Sequence, residues 1–213
     1  ALQLLDSSGA LDFDLACFNA LINECNKAGQ RAEALRIFSQ IAEFGLEPDA
    51  ITYGSMVDAR ASEGDVSGAQ QWLERMTDAG FGANLPAHNA VIKACAQTGQ
   101  AEQAERWLQR IVATGLSPSL RSYNTVLAAC ARCGDLARAE RLLDRMRAAG
   151  VALDVTTCNS MILGLAKQGD LEGAERWILA MAEHGPAPDV ISYNTLISGH
   201  ARNGDVKSAE LWL

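Results

Sequence analysis

Asparagine recurs every 35 residues along this chain of 213 residues, and its amide is the most informative chemistry in the sequence. It fills five of six equivalent positions, with glycine at the other. An amide both donates and accepts hydrogen bonds, so a row of amides can pair with groups that present mixed donors and acceptors. The six positions are Asn19, Gly54, Asn89, Asn124, Asn159 and Asn194.

Three further rows share this side of the helices, and the one four residues after each asparagine is Asn23, Asp58, Lys93, Ala128, Leu163 and Ser198. On a helix that turns about 100° per residue, positions three before and eight after each asparagine fall within roughly 80° of it. The earlier row mixes apolar and polar residues, and the later row is basic in four of six places. The earlier row is Ala16, Ile51, Pro86, Arg121, Thr156 and Ile191, and the basic residues of the later row are Lys27, Arg132, Lys167 and Arg202.

The asparagine row and the rows beside it together suit an extended single strand of nucleic acid. An amide can meet the Watson–Crick edge of an unpaired base. A side chain such as Ile51 or Ile191 can pack on the face of a base, and a lysine or arginine can meet phosphate. The rows therefore predict a groove that reads bases with amides, stacks on them and contacts the backbone with cations.

Each row also has a purely structural interpretation. The asparagines could cap helices, but Thr52, Ser122, Thr157 and Ser192 stand two positions earlier, and we expect any cap to lie at those hydroxyls. The basic row could be a solvated face, because Ser62 and Gln97 interrupt it. The sequence alone leaves this second alternative open.

The spacing of glycine indicates the repeating unit whose helices must position these rows. It recurs every 35 residues, and an alanine follows each time five residues later. A strict period of this length is typical of a solenoid, in which each unit buries its apolar face against its neighbours. The glycines are Gly29, Gly64, Gly99, Gly134, Gly169 and Gly204.

The apolar spacing predicts two helices in each unit. Phe18, Leu21, Ile22 and Cys25 follow a helical pattern, the glycine ends this helix, and a second amphipathic helix follows. We predict an all-α fold, a right-handed α-solenoid of helix-turn-helix hairpins. The predicted repeats are 15–49, 50–84, 85–119, 120–154 and 155–189, with 1–14 as the end of a preceding repeat and 190–213 as a truncated sixth.

The composition argues against a polyanionic partner for the chain as a whole. There are 18 Lys and Arg against 26 Asp and Glu, a formal charge of −8. A nucleic-acid groove must therefore rely on local charge, which acts within a Debye length of about 8 to 10 Å. The sequence contains no apolar run long enough to cross a membrane and no signal-peptide pattern at its start, so we expect no membrane insertion.

Other reactive residue types are better explained as core. Cys130 and Cys133 have the spacing of half a zinc site, but a second pair is missing. Cys25 and Cys95 share a column with Cys130 on the apolar stripe, and free thiols favour a reducing compartment. No catalytic motif is present. We predict no enzyme activity within this chain, no cofactor or metal, and no small-molecule substrate.

The sequence resembles the pentatricopeptide repeat family over residues 14–213. The segments Pro48-Asp-Ala-Ile-Thr-Tyr and Pro188-Asp-Val-Ile-Ser-Tyr-Asn carry the likeness, rather than the Trp and Leu-Gly pattern of tetratricopeptide repeats. Some positions depart from the pattern: His88 and Cys158 replace the aromatic residue, and Ala83 and Leu153 replace the linker proline.

The resemblance implies a rule for base recognition. In this family the first-helix residue and the last residue of the same repeat read one base, 5′ to 3′ from the N-terminus, and the row that begins with Ala16 sandwiches bases. By this rule the Asn–Asp pairs favour uracil, Asn89 with Ser119 leans to cytosine, and Gly54 with Asn84 stays unassigned, which gives 5′-U-N-C-U-U-3′. The last residues of the repeats are Asp49, Asn84, Ser119, Asp154 and Asp189.

Three functions follow from different classes of protein. The first is sequence-selective binding of single-stranded RNA in organellar RNA processing, stability or translation. The second is a protein-binding scaffold, which the negative charge favours. The third is the targeting half of an enzyme whose nuclease or editing domain lies beyond Leu213. The resemblance implies a mitochondrial or chloroplast location.

Overall fold

The computed structural model describes residues 14–82 and 84–213, and over these residues the chain forms twelve helices and no strand. The predicted end of a preceding repeat, residues 1–14, lies outside this part of the chain except for Asp14. The helices are α1 Leu15–Lys27, α2 Arg31–Glu43, α3 Ala50–Ser62, α4 Val66–Asp78, α5 Leu85–Gln97, α6 Ala101–Ala113, α7 Leu120–Cys133, α8 Leu136–Ala148, α9 Val155–Gln168, α10 Leu171–His184, α11 Val190–Arg202 and α12 Val206–Leu211.

The described residues fall into two compact units that divide between residues 87 and 88, within α5. In the first unit α1 packs on α2 and on α3, and α3 packs on α4. In the second unit α9 packs on α10 and also on α7 and α11, the first helices of the flanking hairpins. First helices thus contact first helices from one hairpin to the next, which keeps the asparagine row on one continuous layer within each unit.

Apolar stripes form the core, as the helical spacing predicts. In the first unit Phe18, Ile22, Ile37 and Ile41 are fully buried. The alanine that recurs on the second helices is buried wherever the structure describes it, because two helices approach closely there and leave no room for a larger side chain. No helix among the described residues combines the length and apolar character needed to cross a membrane.

Glycine ends the first helices by adopting a left-handed conformation. Gly134 closes α7 with φ 73°, and Gly169 closes α9 with φ 81°. This region is sterically costly for residues that carry a Cβ atom. The predicted turn glycines are therefore confirmed, and the chain reverses within two residues to begin the second helix.

The caps of the first helices differ from our expectation. We expected the hydroxyl residues Thr52, Ser122, Thr157 and Ser192 to be the caps, and this was wrong. The N-cap is the residue three positions earlier, which is Asp49, Ser119, Asp154 or Asp189. The hydroxyl residue occupies the third helical position, where its oxygen accepts a hydrogen bond from the N-cap backbone and completes a capping box.

Two helical glycines allow a matched test of packing. At Gly164 a Cβ atom would lie 2.9 Å from Leu136 Cδ2 and 3.3 Å from the Ala131 Cα atom, whereas at Gly54 it would meet nothing within 4 Å. We expect Gly164→Leu to lower the free energy of unfolding by about 1–3 kcal/mol through overpacking. Gly54→Ala should raise it by up to about 1 kcal/mol, because glycine is a poor helix former. Urea denaturation of both variants measures this, and equal effects would contradict the packing described.

Candidate nucleic-acid interface

The asparagine of one repeat is held by two residues around the start of the next first helix. Asn124 Nδ2 donates to Asp154 Oδ1 at 3.0 Å, and Asn124 Oδ1 lies 2.6 Å from the Thr157 hydroxyl oxygen. The Thr157 backbone N–H donates to the same Asp154 Oδ1 at 2.8 Å. We call this amide, carboxylate and hydroxyl set a polar triad. It places the asparagine and the last residue of its repeat side by side.

The polar triad recurs in two other repeats. Asn159 Nδ2 donates to Asp189 Oδ1 at 3.0 Å and accepts from the Ser192 hydroxyl at 2.6 Å. In the first unit, Asn19 Nδ2 donates to Asp49 Oδ1 at 3.3 Å and accepts from the Thr52 hydroxyl at 2.7 Å. The three asparagines are half-buried. They are not turned into the hydrophobic seam, which is the arrangement that would have ruled out base contact.

The polar set around Asn89 differs from the other triads because a hydroxyl replaces the carboxylate. The Ser122 hydroxyl donates to Asn89 Oδ1 at 2.7 Å, and the Ser119 and Ser122 hydroxyl oxygens lie 3.0 Å apart. Ser119 is still the N-cap of its helix and accepts from the Ser122 backbone N–H at 3.3 Å. Two hydroxyls therefore replace the carboxylate and hydroxyl pair, and this site can donate as well as accept hydrogen bonds.

The row changes at the second and sixth positions. Gly54 offers no side chain, and Asn84, the last residue of its repeat, is exposed and accepts from the Ala87 backbone N–H at 3.0 Å. Asn194 is exposed on α11. The residue at the hydroxyl position that follows Gly54 is Ala87 rather than serine or threonine.

Hydrogen bonds keep the triad carboxylates ionised. For Asp49 and Asp154, partial burial acts to raise the pKa, but bonds from the backbone and hydroxyl of the following helix and from the asparagine outweigh it and lower the pKa below its ordinary value. For Asp189, the bond from the Ser192 backbone is the largest cause of the lowered pKa. At neutral pH these groups are therefore acceptors only.

A groove of about 550 Å³ in the second unit brings the predicted residues together. Its walls include Asn124 and Asp154 from the reading positions, Arg121 and Thr156 from the stacking row, and Arg132 from the basic row. Lys93 and Gln97 line it as well and were not among our predicted site residues. The sequence analysis places both on the arc of helix that the asparagines define, but it gave neither a role in the site.

The stacking and basic rows are exposed throughout. Ile51 is 65% and Ile191 62% exposed, a large fraction for apolar side chains. Among the cations, Lys27 lies 2.7 Å from Glu24, and Arg132 donates to the carbonyl of Ala96. The Arg202 Nε atom donates to the Ser198 carbonyl at 3.2 Å, and Lys167 is also exposed.

The cysteines lie apart from this groove. Cys95 and Cys130 are fully buried, and burial raises the pKa of Cys95 to about 11 and that of Cys130 to about 12. Such thiols stay protonated and are poor nucleophiles and metal ligands. Cys133 is exposed. Within the described part of the chain, His, Cys, Asp and Glu side chains form no group that could hold a metal ion.

The triads predict a stability that depends on acid pH. A carboxyl with a lowered pKa in the folded state contributes stability above its unfolded pKa of about 3.9, and this contribution is lost as pH falls through the folded value. We expect the melting temperature to fall below about pH 4. Asp154→Asn keeps an oxygen that accepts from Thr157 but cannot ionise. Between pH 5 and 3 the melting temperature of this variant should therefore fall by less than that of the parent protein. Thermal melts across this range test this. The control is Asp144→Asn, which removes an exposed carboxylate that caps no helix, and an identical profile for the two variants would contradict the expectation.

Comparison with known proteins agrees with this architecture. Residues 15–162 match the family described as the pentacotripeptide-repeat region of PRORP, and residues 153–202 match the PPR repeat family. The crystal structure of pentatricopeptide repeat protein PPR10 from maize superposes with a TM-score of 0.82 at 22% identity, over 93% of this chain and 28% of that one. The predicted all-α solenoid of helical hairpins is thereby confirmed.

PPR10 has also been solved in complex with an 18-nt psaJ RNA element, and that structure matches with a TM-score of 0.69 at 25% identity, over 99% of this chain and 30% of that one. Two Arabidopsis thaliana relatives are pentatricopeptide repeat-containing proteins. At3g49170, chloroplastic, is 28% identical over 76 residues, 36% of this chain and 9% of the relative. At1g26460, mitochondrial, is 29% identical over 79 residues, 37% of this chain and 12% of the relative. The chain thus spans about a tenth of the length of these curated relatives. With a family match that covers most of its residues, the chain belongs to the pentatricopeptide repeat family.

Proposed function

We propose that this chain binds single-stranded RNA and that each complete repeat contacts one base through its asparagine and its last residue. The observation that carries the proposal is the polar triad, which sets an amide beside an acceptor at the same place in the repeats of Asn19, Asn124 and Asn159. The amide nitrogen has two hydrogens, and the carboxylate accepts one. A base that presents an oxygen can accept the other.

The chemistry of the last residue supports a preference between pyrimidines. Uracil carries an N3–H donor, whereas N3 of cytosine is an acceptor. An ionised carboxylate only accepts, so Asp49, Asp154 and Asp189 suit uracil and repel cytosine N3. The Ser119 hydroxyl can donate, so the repeat of Asn89 leans to cytosine. With the family's 5′ to 3′ direction, the proposed target is 5′-U-N-C-U-U-3′.

The two outer rows support binding of the strand itself. Exposed side chains such as Ile51 and Ile191 can pack on base faces, together with Ala16, Pro86, Arg121 and Thr156 in the same row. Lys27, Arg132, Lys167 and Arg202 can contact phosphates. The net charge of −8 opposes binding only where acidic groups lie within a Debye length of the strand.

The PPR10 complex and the organelle names of the relatives support a wider role. We propose that the chain acts on an organellar transcript, in a mitochondrion or chloroplast, in RNA processing, stability or translation. The match to the PRORP repeat region is also compatible with a targeting segment in a longer enzyme. A protein-binding scaffold is the second candidate, because exposed Ile51, Val190 and Ile191 and the acidic charge would also suit a polypeptide.

Binding of labelled oligonucleotides tests the RNA proposal. We expect an oligonucleotide that contains UNCUU to bind more tightly than one with adenines at the same positions. Four phosphate contacts predict that the logarithm of the association constant falls with the logarithm of salt concentration at a slope of about −3. Equal affinity for the two sequences would overturn the base selectivity, and no affinity for either would favour the protein scaffold.

A reciprocal exchange tests the roles of the last residues. Ser119→Asp replaces a hydroxyl by an acceptor, so the repeat of Asn89 should change its preference from cytosine to uracil. Asp154→Ser should change the repeat of Asn124 in the opposite direction. Both residues remain good helix caps, so folding is conserved. Affinities for oligonucleotides that differ at one base measure the change. A variant whose preference stays that of the parent protein would refute the assignment for that repeat.

A further inference from the structure

A buried hydroxyl from the next repeat contacts the amide of four of the five reading asparagines, Asn19, Asn89, Asn124 and Asn159. Thr52, Ser122, Thr157 and Ser192 lie 33 residues after the asparagines they contact, at oxygen–oxygen distances of 2.6–2.7 Å. Their exposed fractions are 0–1%. These side chains lie behind the amides, where they are shielded from solvent, so any effect on a ligand passes through the asparagine.

The capping box decides which way this hydroxyl points. Its oxygen accepts from the N-cap backbone N–H, at 3.2 Å for Thr52 and Ser122 and 3.1 Å for Ser192. The hydroxyl hydrogen then has two acceptors within reach: the asparagine oxygen and, in the triads with a carboxylate, Oδ1 of the N-cap aspartate at 2.7–3.1 Å. An amide oxygen can accept this hydrogen and an amide nitrogen cannot. The asparagine therefore turns its oxygen to the hydroxyl and its nitrogen to the last residue of its own repeat.

We propose that Thr52, Ser122, Thr157 and Ser192 are positioning residues that fix the amide orientation of the preceding repeat and thereby its base preference. The proposal rests on base reading by the asparagines. It adds a third determinant, located in the following repeat, to the pair of residues that reads each base. An amide that is free to flip would present donor and acceptor interchangeably, and it would discriminate poorly between uracil and cytosine.

The sequence supports the link between amide and hydroxyl. Asn19, Asn89, Asn124 and Asn159 each have serine or threonine 33 residues later, whereas Gly54 has Ala87. The repeat without the amide is thus also the one without the hydroxyl. Ala87 is buried and its backbone N–H is still capped, by Asn84, so capping alone does not require the hydroxyl.

The triads differ in how many groups fix the amide. Asn124 and Asn159 are each held by a carboxylate as well as by a hydroxyl. A flip there would bring the amide oxygen against an ionised oxygen, which is repulsive. Asn89 is held at its oxygen by Ser122, and its repeat ends in Ser119, whose hydroxyl can donate or accept. Loss of the hydroxyl should therefore matter more for the repeat of Asn89 than for that of Asn124.

The test compares Ser122→Ala with Thr157→Ala in the whole chain. Affinities are measured for oligonucleotides that carry each of the four bases opposite the affected repeat. We expect Ser122→Ala to lower the ratio of affinities for cytosine and uracil by about fivefold, the equivalent of one neutral hydrogen bond. Thr157→Ala should lower the uracil preference of its repeat by less. In the free protein, the side-chain NH₂ signals of Asn89 should broaden or exchange faster in Ser122→Ala.

Two controls separate orientation from stability. Ser122→Thr and Thr157→Ser restore the hydroxyl and should restore selectivity. Ser160→Ala removes another hydroxyl of α9, one that bonds to the Thr156 carbonyl within the helix, and should leave selectivity unchanged. Alanine already stands at the equivalent position of α1 and α5, as Ala20 and Ala90.

Each outcome decides between the explanations. Equal loss of affinity for all four bases in Ser122→Ala would mean a structural role and overturn the proposal, as would unchanged selectivity. After either result, the proposed function would still hold if the parent protein discriminates between bases. A parent protein with no base preference opposite any repeat would overturn both.

Discussion

The structure depends on how the first turn of each first helix satisfies its backbone N–H groups. These groups have no partner within the helix and need an acceptor from a side chain. At the start of five repeats that acceptor is the last residue of the preceding repeat, Asp49, Asn84, Ser119, Asp154 or Asp189. The three carboxylates also accept from the asparagine of their own repeat. One side chain therefore ends a repeat, starts the next helix and stands beside the reading amide.

This shared use orders the candidate site before any ligand arrives. The hydrogen bonds that hold Asp154 also lower its pKa, so this acceptor is ionised and already held in place. Ordering side chains on binding costs conformational entropy, and groups already held in place avoid much of that cost. The candidate site also carries charges of both signs. These carboxylates are engaged in hydrogen bonds, while Lys27, Arg132, Lys167 and Arg202 are exposed along the same face.

The sequence was sufficient for the parts that depend on local periodicity. Apolar spacing identified both helices of each hairpin, and glycine marked the turns because Gly134 and Gly169 need a left-handed backbone. The caps were placed three residues too late, because threonine and serine are themselves common caps and nothing local separates the first from the fourth position of a capping box. The contact between Thr157 and Asn124 depends on the packing of α9 against α7, so helical spacing within one repeat could not reveal it. The sequence did contain one sign of this contact. Gly54, which has no amide, is followed 33 residues later by Ala87, which has no hydroxyl.

Capping also restricts which residues can serve in the base reading that we propose. If the last residue of a repeat must accept from the backbone of the next helix, it has to be a good N-cap, and aspartate, asparagine, serine and threonine are the side chains that fulfil this condition best. The chain follows the restriction: its five last residues are three aspartates, one asparagine and one serine. These side chains differ mainly in whether they can donate as well as accept, and that is the property that distinguishes uracil N3–H from cytosine N3. Folding thus restricts the last residue to a small set of side chains. These side chains differ in the hydrogen-bonding property on which the proposed base recognition depends.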